Sequence, residues 1–341
     1  MQADSEEQVV AVLKAAGLGD ERRVWRLYGD RENNFSTIGN QQNRPDAALV
    51  EKLVNSVDAR GMHECLARGV NPESPAAPQT IRDAIGRFFE DGRTSGSVFS
   101  GQVRAWDNEM RRDVARGITL AATGAKGQDG DPSLTIADQG EGQTPRKFPD
   151  TLLSLEKSNK LRIPFVQGKF NMGGAGVLEF CGRNNLQLIL RRRSPRILNG
   201  NFNHPTDEEW GFTIVRREDP AGNRRSSSHT FLAPVGADEV PQKGHVLTFA
   251  FDKMPIFPDG AQPYVRDAEW GTLIKLYEYS LPGHRTHILR KRAVSWMDFR
   301  DGYCVIRYVL GGLAGGGTQR WVPLLARVSS PFHNAFTRRK K

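Results

Sequence analysis

Apolar residues return at helical spacing over residues 8–16, where Val9, Val10, Leu13 and Ala16 share one side. Residues 33–43 are polar and loop-like. Pro45 opens the strongest helical pattern, because proline fits a first turn whose N–H has no intrahelical partner. Leu49, Val50, Leu53, Val54 and Val57 carry that helix over about 46–59. Residues 70–78 are a proline-rich loop, and Ile81, Ile85, Phe88 and Phe89 make 80–90 an amphipathic helix. A further helical stretch is expected over 103–114.

The period then shortens. Residues 119–123 and 134–137 read as paired strands joined by a Gly-, Asp- and Lys-rich turn over 124–132. Residues 186–190, 211–215, 230–232, 246–251 and 272–277 follow as strands, with Pro220-Ala221-Gly222-Asn223 supplying a turn. Helices followed by an antiparallel run predict an α+β layered sandwich, not a doubly wound parallel sheet. Beyond about Pro282 the texture changes: 284–294 is basic, 303–309 strand-like and 311–317 glycine-rich. That stretch reads as a C-terminal extension or the start of a second domain.

Composition adds bounds. The 341 residues can bury a substantial core, and 38% apolar with 26% charged residues is a globular profile. No apolar run approaches the ~18 residues of a membrane span, so no membrane partner is expected. The acidic start lacks a signal-peptide core. Cys65, Cys181 and Cys304 are too few and too scattered for a disulfide framework or zinc site, which points to a reducing cytoplasm. A net charge of +9, with clusters at Arg191-Arg192-Arg193, Arg216-Arg217, Arg224-Arg225 and Arg290-Lys291-Arg292, favours polyanions unless these are solvated strand ends.

Candidate chemistry lies in three short signatures. In Glu51-x3-Asn55-x2-Asp58-Ala59, helical spacing of ~100° per residue aligns a carboxylate, an amide and a second carboxylate. A bare solvated face would use Lys, Glu or Gln more readily than Asn and Asp, which are poor helix formers. Asp138-x-Gly140-x-Gly142 ends a buried-looking strand with an acid that could accept from an exocyclic amine, and glycines that admit close approach or positive φ. Gly168-x4-Gly173-x2-Gly176, with Gly174 and Asn171, crowds glycine at the start of what reads as a helix, where backbone N–H groups could cradle phosphate. Each alone is compatible with an ordinary solvated helix or turn, and no P-loop pattern is present.

In this order the signatures resemble the nucleotide site of the GHKL ATPases, which include gyrase B subunits, ninety-kilodalton heat-shock chaperones, MutL repair proteins and sensor histidine kinases. The glycine run is closest in style to type VI topoisomerases or microrchidia-like members, although Asn171 replaces the usual middle glycine. Gly271-Thr272 before a strand matches the family's late threonine. The resemblance spans about Asp46 to Tyr279 and implies a two-layer Bergerat-type α/β sandwich, with helices packed on a mixed, mostly antiparallel sheet. It also implies an ATP-binding domain over 46–281 with an insertion near 70–117, preceded by an N-terminal helix and strap-like segment over 1–45 and followed by the extension at 282–341.

By that resemblance, Glu51 is the general base, Asn55 the Mg²⁺ ligand, Asp58 a pocket residue, and Asp138 the reader of adenine with Thr272 beside it. Gly140, Gly142, Gly168, Asn171, Gly173, Gly174 and Gly176 shape the backbone around the nucleotide, and residues 156–160 belong to a mobile lid, with Lys157 or Lys160 either near phosphate or solvated. The implied function is Mg²⁺-dependent ATP hydrolysis with lid closure and homodimerisation on ATP. The alternatives are an ATP-gated interaction module with a protein client, or a DNA-processing or defence ATPase contacting nucleic acid. A histidine kinase is disfavoured, since His63 follows the Glu51 helix and no phosphoacceptor helix is evident. Arg290, Lys291 and Arg320 are unranked candidates for a γ-phosphate sensor.

Overall fold

The helical segments are α1 (Glu6–Ala15), α2 (Asn34–Gly39), α3 (Pro45–Ala67), α4 (Ile81–Ile85), α5 (Asn108–Ala115) and the single turn α6 (Pro195–Leu198). The strands are β1 (Trp25–Leu27), β2 (Ile118–Gly124), β3 (Pro132–Asp138), β4 (Gln187–Arg192), β5 (Trp210–Glu218) and β6 (Ser228–Leu232). After them come β7 (Leu247–Phe249), β8 (Met254–Pro255), β9 (Asp267–Ala268), β10 (Gly271–Leu276), β11 (Cys304–Leu310) and β12 (Trp321–Leu324). This computed structural model describes residues 2–19, 21–90, 101–124, 130–155, 160–168, 174–220, 222, 225–235, 244–256 and 267–281, and the backbones of β11 and β12. The expected turns over 124–132 and 220–223 lie partly outside them, and Lys157, Asn171, Gly173, Arg224, Arg290, Lys291, Arg292 and Arg320 wholly so.

Most strands join one sheet in the order β1-β6-β5-β4-β10-β3-β2-β11-β12, with β7 pairing on β5. Every pair is antiparallel except β11 on β2, so the sheet is mixed but mostly antiparallel and the chain is α+β. β10 inserts between β4 and β3, bringing the last strand before residue 282 to the middle of the sheet.

Both sheet faces are covered. On one, Leu49 and Leu53 of α3 and Ile38 of α2 pack with Leu120, Ile136, Ile189, Phe231 and Ile274. On the other, Val9 and Leu13 of α1 and Met254 and Ala268 of the β8–β9 ribbon pack with Leu188, Leu190, Trp210 and Leu273. Two-sided burial explains why β3 is buried at every position instead of alternating. The amino-terminal tail is tied to the sheet: buried Lys275 donates to the Asp4 carboxylate and the Ala3 carbonyl, and Glu6 accepts from the N–H groups of Asn184 and Leu186.

Several elements differ from expectation. α3 continues past Ala59 to Ala67 because Met62 and Cys65 stay buried against Ile163, Phe165 and Val166. It stops where Gly69 takes φ +73°, with Gly69 N–H on the Leu66 carbonyl and Val70 N–H on the Cys65 carbonyl. The stretch expected as loop over 33–43 contains α2, whose Ile38 is fully buried. The 80–90 helix is α4 followed by a wide turn at Gly86–Glu90, capped by Thr80 accepting from Asp83 N–H. Its Phe88 packs with α3, while Ile85 meets Val103, Trp106 and Met110. Among the described residues no helix is long and apolar enough to cross a membrane.

Candidate functional site

α3 turns two neighbouring polar rows toward the middle of the protein. Glu51 and Asn55 are half-buried and Asp58 is buried, along the row expected from spacing. Neither Glu51 nor Asn55 makes a hydrogen bond to a described residue. Burial raises the Glu51 carboxyl above its ordinary value, with Lys52 pulling it back. Asp58 does not face open space: its carboxylate accepts from Gln167 N–H at 3.0 Å and Gly168 N–H at 2.7 Å, anchoring the start of the glycine run to α3. Burial raises its pKa, and Lys160 is the main opposing influence.

The second row was missed by spacing. Lys52 and Ser56 face the sheet and are buried. Ser56 Oγ donates to Asp138 Oδ2 at 3.0 Å, and Gly140 N–H donates to Asp138 Oδ1 at 3.0 Å. Burial raises the Asp138 pKa, opposed first by Arg191 and, less, by those two hydrogen bonds. Thr272 stands opposite Asp138 on β10 and opposite Arg191 on β4. Its hydroxyl accepts from Arg191 Nε at 3.0 Å, while Arg191 Nη1 donates to Gln143 Oε1 at 2.7 Å. Asp138, Thr272 and Arg191 thus form one buried polar group beneath α3.

The glycines are dictated by close approach. A Cβ on Gly140 would lie 2.5 Å from Ala59 Cβ, beside the Glu141 N–H that donates to the Ala59 carbonyl. Gly142 has φ +60° and abuts the Arg192 carbonyl, a position closed to any side chain. A Cβ on Gly168 would lie 2.5 Å from Asn55 Oδ1. Among the described residues Gly174 has the Lys52 ammonium near it, and Gly176 packs on Gln41 and Gln42.

One expectation is corrected. The glycine run does not open a helix: Leu178–Phe180 is a single tight turn, and Cys181 then bridges Tyr279 in extended conformation. Glycine has high conformational entropy to lose in a helix, and the bridge pulls the chain out of helical geometry after one turn. Any phosphate contact here comes from turn N–H groups and side chains. His63 lies inside α3 rather than after it, buried, hydrogen-bonded to Ser194 and stacked on Trp270.

The elements expected to build a site therefore converge. Residues 51–58, 138–142, 168, 174–176 and 272 all meet α3 or its polar seam. Besides Lys52 and Ser56, the residues that sequence reasoning overlooked are Arg60, Gln143 and Arg191. Arg60 is half-buried and donates to the Gln139 carbonyl in room left by Gly117. A cavity of about 50 Å³ beside α3 is walled largely by apolar side chains such as Val57, Ile85, Phe89, Trp106 and Phe165, with Asp58, Arg60 and Gln167 as its polar lining.

For a magnesium ion, the unpartnered Asn55 oxygen facing a glycine gap is a suitable hard donor, since Mg²⁺ keeps several waters and needs few protein ligands. No cluster of three or more His, Cys, Asp or Glu side chains exists among the described residues, so an all-protein metal cage is not formed there. The Arg191–Arg193 and Arg216–Arg217 clusters are engaged internally. Arg192 donates to the carbonyls of Glu208, Phe251 and Glu269, Arg193 pairs with Glu141, Arg216 lies over Trp25, and Arg217 pairs with Asp219. In comparisons with known proteins, no family model and no curated protein matches this chain.

Proposed function

We propose that this chain is a Mg²⁺-dependent ATPase of the GHKL, or Bergerat-fold, type. The observation that carries the reading is the convergence on α3 of three signatures far apart in sequence: Asp58 holds the Gly168 backbone, Ser56 holds Asp138, and Gly140 packs on Ala59. A long helix laid on a mostly antiparallel sheet is in keeping with the implied sandwich.

In this reading Asp138 recognises adenine. Its oxygens retain lone pairs beyond the two they give to Ser56 and Gly140, so one can accept from an exocyclic amine, as guanine does not offer there. Thr272 and Arg191 fix that carboxylate's surroundings. Asn55 presents its oxygen to the metal, which when bound neutralises charge on the phosphates. Glu51, unpartnered and with a raised pKa, orients and deprotonates the attacking water. Asp58 positions the glycine turn, whose N–H groups and small residues let the phosphates approach. ATP-driven lid closure and pairing of two copies belong to the same proposal, in a cytoplasmic protein. The Arg191–Arg193 and Arg216–Arg217 clusters are engaged internally, so these two lend no support to the nucleic-acid alternative.

The test is titration calorimetry of the full chain with Mg²⁺ and a non-hydrolysable ATP analogue. Uptake of the analogue, lost on Asp138→Asn, is expected. No uptake by the wild-type chain, or uptake indifferent to Asp138→Asn, overturns the reading.

A further inference from the structure

Two polar side chains at the glycine turn are left without partners. Lys52 is 4% exposed, and its ammonium makes no hydrogen bond or ion pair with a described residue. A Cβ on Gly174 would lie 4.0 Å from Lys52 Nζ with no other described atom within that distance, so the ammonium faces the turn at Gly174. On the same turn, Gln41 packs on Gly176, with its Oε1 3.8 Å from where a Cβ would stand. Both Oε1 and Nε2 of Gln41 are buried and unsatisfied.

An unpaired buried ammonium and an unpaired buried amide are each costly, and two flanking one turn call for a shared partner. No described residue supplies one. Cys181, near Lys52, has its thiol pushed up by burial and so stays neutral, while Arg191 adds positive charge. Among the described residues, Glu51 is the carboxylate that acts on Lys52, and it forms no ion pair with it. The missing partner is therefore an anion with several acceptor oxygens.

We propose that Lys52 and Gln41 receive the terminal phosphate of a bound nucleoside triphosphate. This rests on the ATP reading above and deepens it: a cation on α3 itself, next in sequence to Glu51, distinguishes triphosphate from shorter nucleotides. An ammonium offers three donors and the Gln41 amide two, a match for the three outer oxygens of a phosphoryl group that a carboxylate ligand would not fill. Burial lowers the Lys52 pKa to about 8, which still leaves the amine mostly charged near neutral pH.

The test compares Mg²⁺ with AMP, ADP and a non-hydrolysable ATP analogue, titrated into the wild-type chain, Lys52→Met and Gln41→Leu. The wild type is expected to prefer the triphosphate. Lys52→Met should weaken triphosphate binding by about ten- to a hundredfold, the worth of one charge-assisted hydrogen bond, with AMP affinity unchanged. Gln41→Leu should act in the same direction and more weakly. Should Lys52→Met fail to fold, the wild-type chain still decides: triphosphate, but not AMP, should shield Lys52 from an amine-acylating reagent. A triphosphate preference that survives Lys52→Met, or equal Lys52 labelling with and without triphosphate, overturns this inference alone. Absence of all nucleotide binding by the wild type overturns the ATP reading and this inference with it.

Discussion

Ser56 Oγ donates to Asp138 Oδ2 across 3.0 Å, joining the middle of α3 to the end of β3. This contact holds the carboxylate in a buried seam, and it couples the acid to the helix that also carries Glu51 and Asn55. Removing the hydroxyl leaves a buried carboxylate short of a donor. Ser56→Ala should therefore destabilise the chain by about 1–3 kcal/mol, read from chemical denaturation. A variant as stable as wild type would show that the contact carries no weight.

Asp138→Asn changes polarity with little change in shape. Gly140 N–H and Ser56 both donate to the present carboxylate, so an amide must turn its NH₂ toward a donor or toward the ligand. Adenine-nucleotide affinity should fall by at least about tenfold, measured by calorimetry.

Glu51→Gln should keep nucleotide binding and lose turnover by about 10²- to 10⁴-fold, the usual worth of a general base. Because burial raises the Glu51 pKa, the acid limb of the wild-type rate profile should lie above the ordinary carboxylate value of 4.5. Single-turnover rates across pH provide the measurement, and an unchanged rate in Glu51→Gln removes it from the chemistry.

Glycine substitutions should separate binding from folding. Gly168→Ala places a methyl 2.5 Å from Asn55 Oδ1, so its effect should fall on Mg²⁺-dependent nucleotide uptake, weakened about tenfold. Gly142→Ala faces the Arg192 carbonyl at φ +60°, and should cost more than about 1 kcal/mol in thermal or denaturant unfolding.

The histidine of β6 should report on acid. His229 is buried, stacked on Phe35, and both its ring nitrogens lack partners. Burial, with Arg217 nearby, lowers its pKa to about 4 from an ordinary 6.5. The unfolded chain then binds more protons between these values, so this group's stability contribution is present above pH 6.5 and is lost as pH falls toward 4. The loss amounts to roughly 3 kcal/mol. His229→Phe should flatten that part of the stability profile, measured by urea unfolding from pH 7 to 4.

Much of the candidate site was legible because its signals are local. Glu51, Asn55 and Asp58 align by helical period, Pro45 marks the start of α3, and Gly142 takes the positive φ for which glycine is suited. Less of its surroundings could be read. The Gly69 stop signal was overlooked and α3 was ended too early, while the glycine run was given a helix that the Cys181–Tyr279 bridge prevents. Lys52 and Ser56 read as mere polar interruptions of an apolar face, since their meaning depends on which strand ends lie beneath them.

Chain chemistry alone determined most element types, though not α2 or the end of the glycine run, and it determined the polar line along α3, because backbone preference and side-chain period act over a few residues. Tertiary structure decided that β10 enters between β3 and β4, setting Thr272 opposite Asp138, and that both sheet faces are covered. It also decided which polar groups find partners and which, like Lys52 and Gln41, remain without one. Burial and hydrogen bonding between residues far apart in the chain depend on the packed arrangement, which no local window contains.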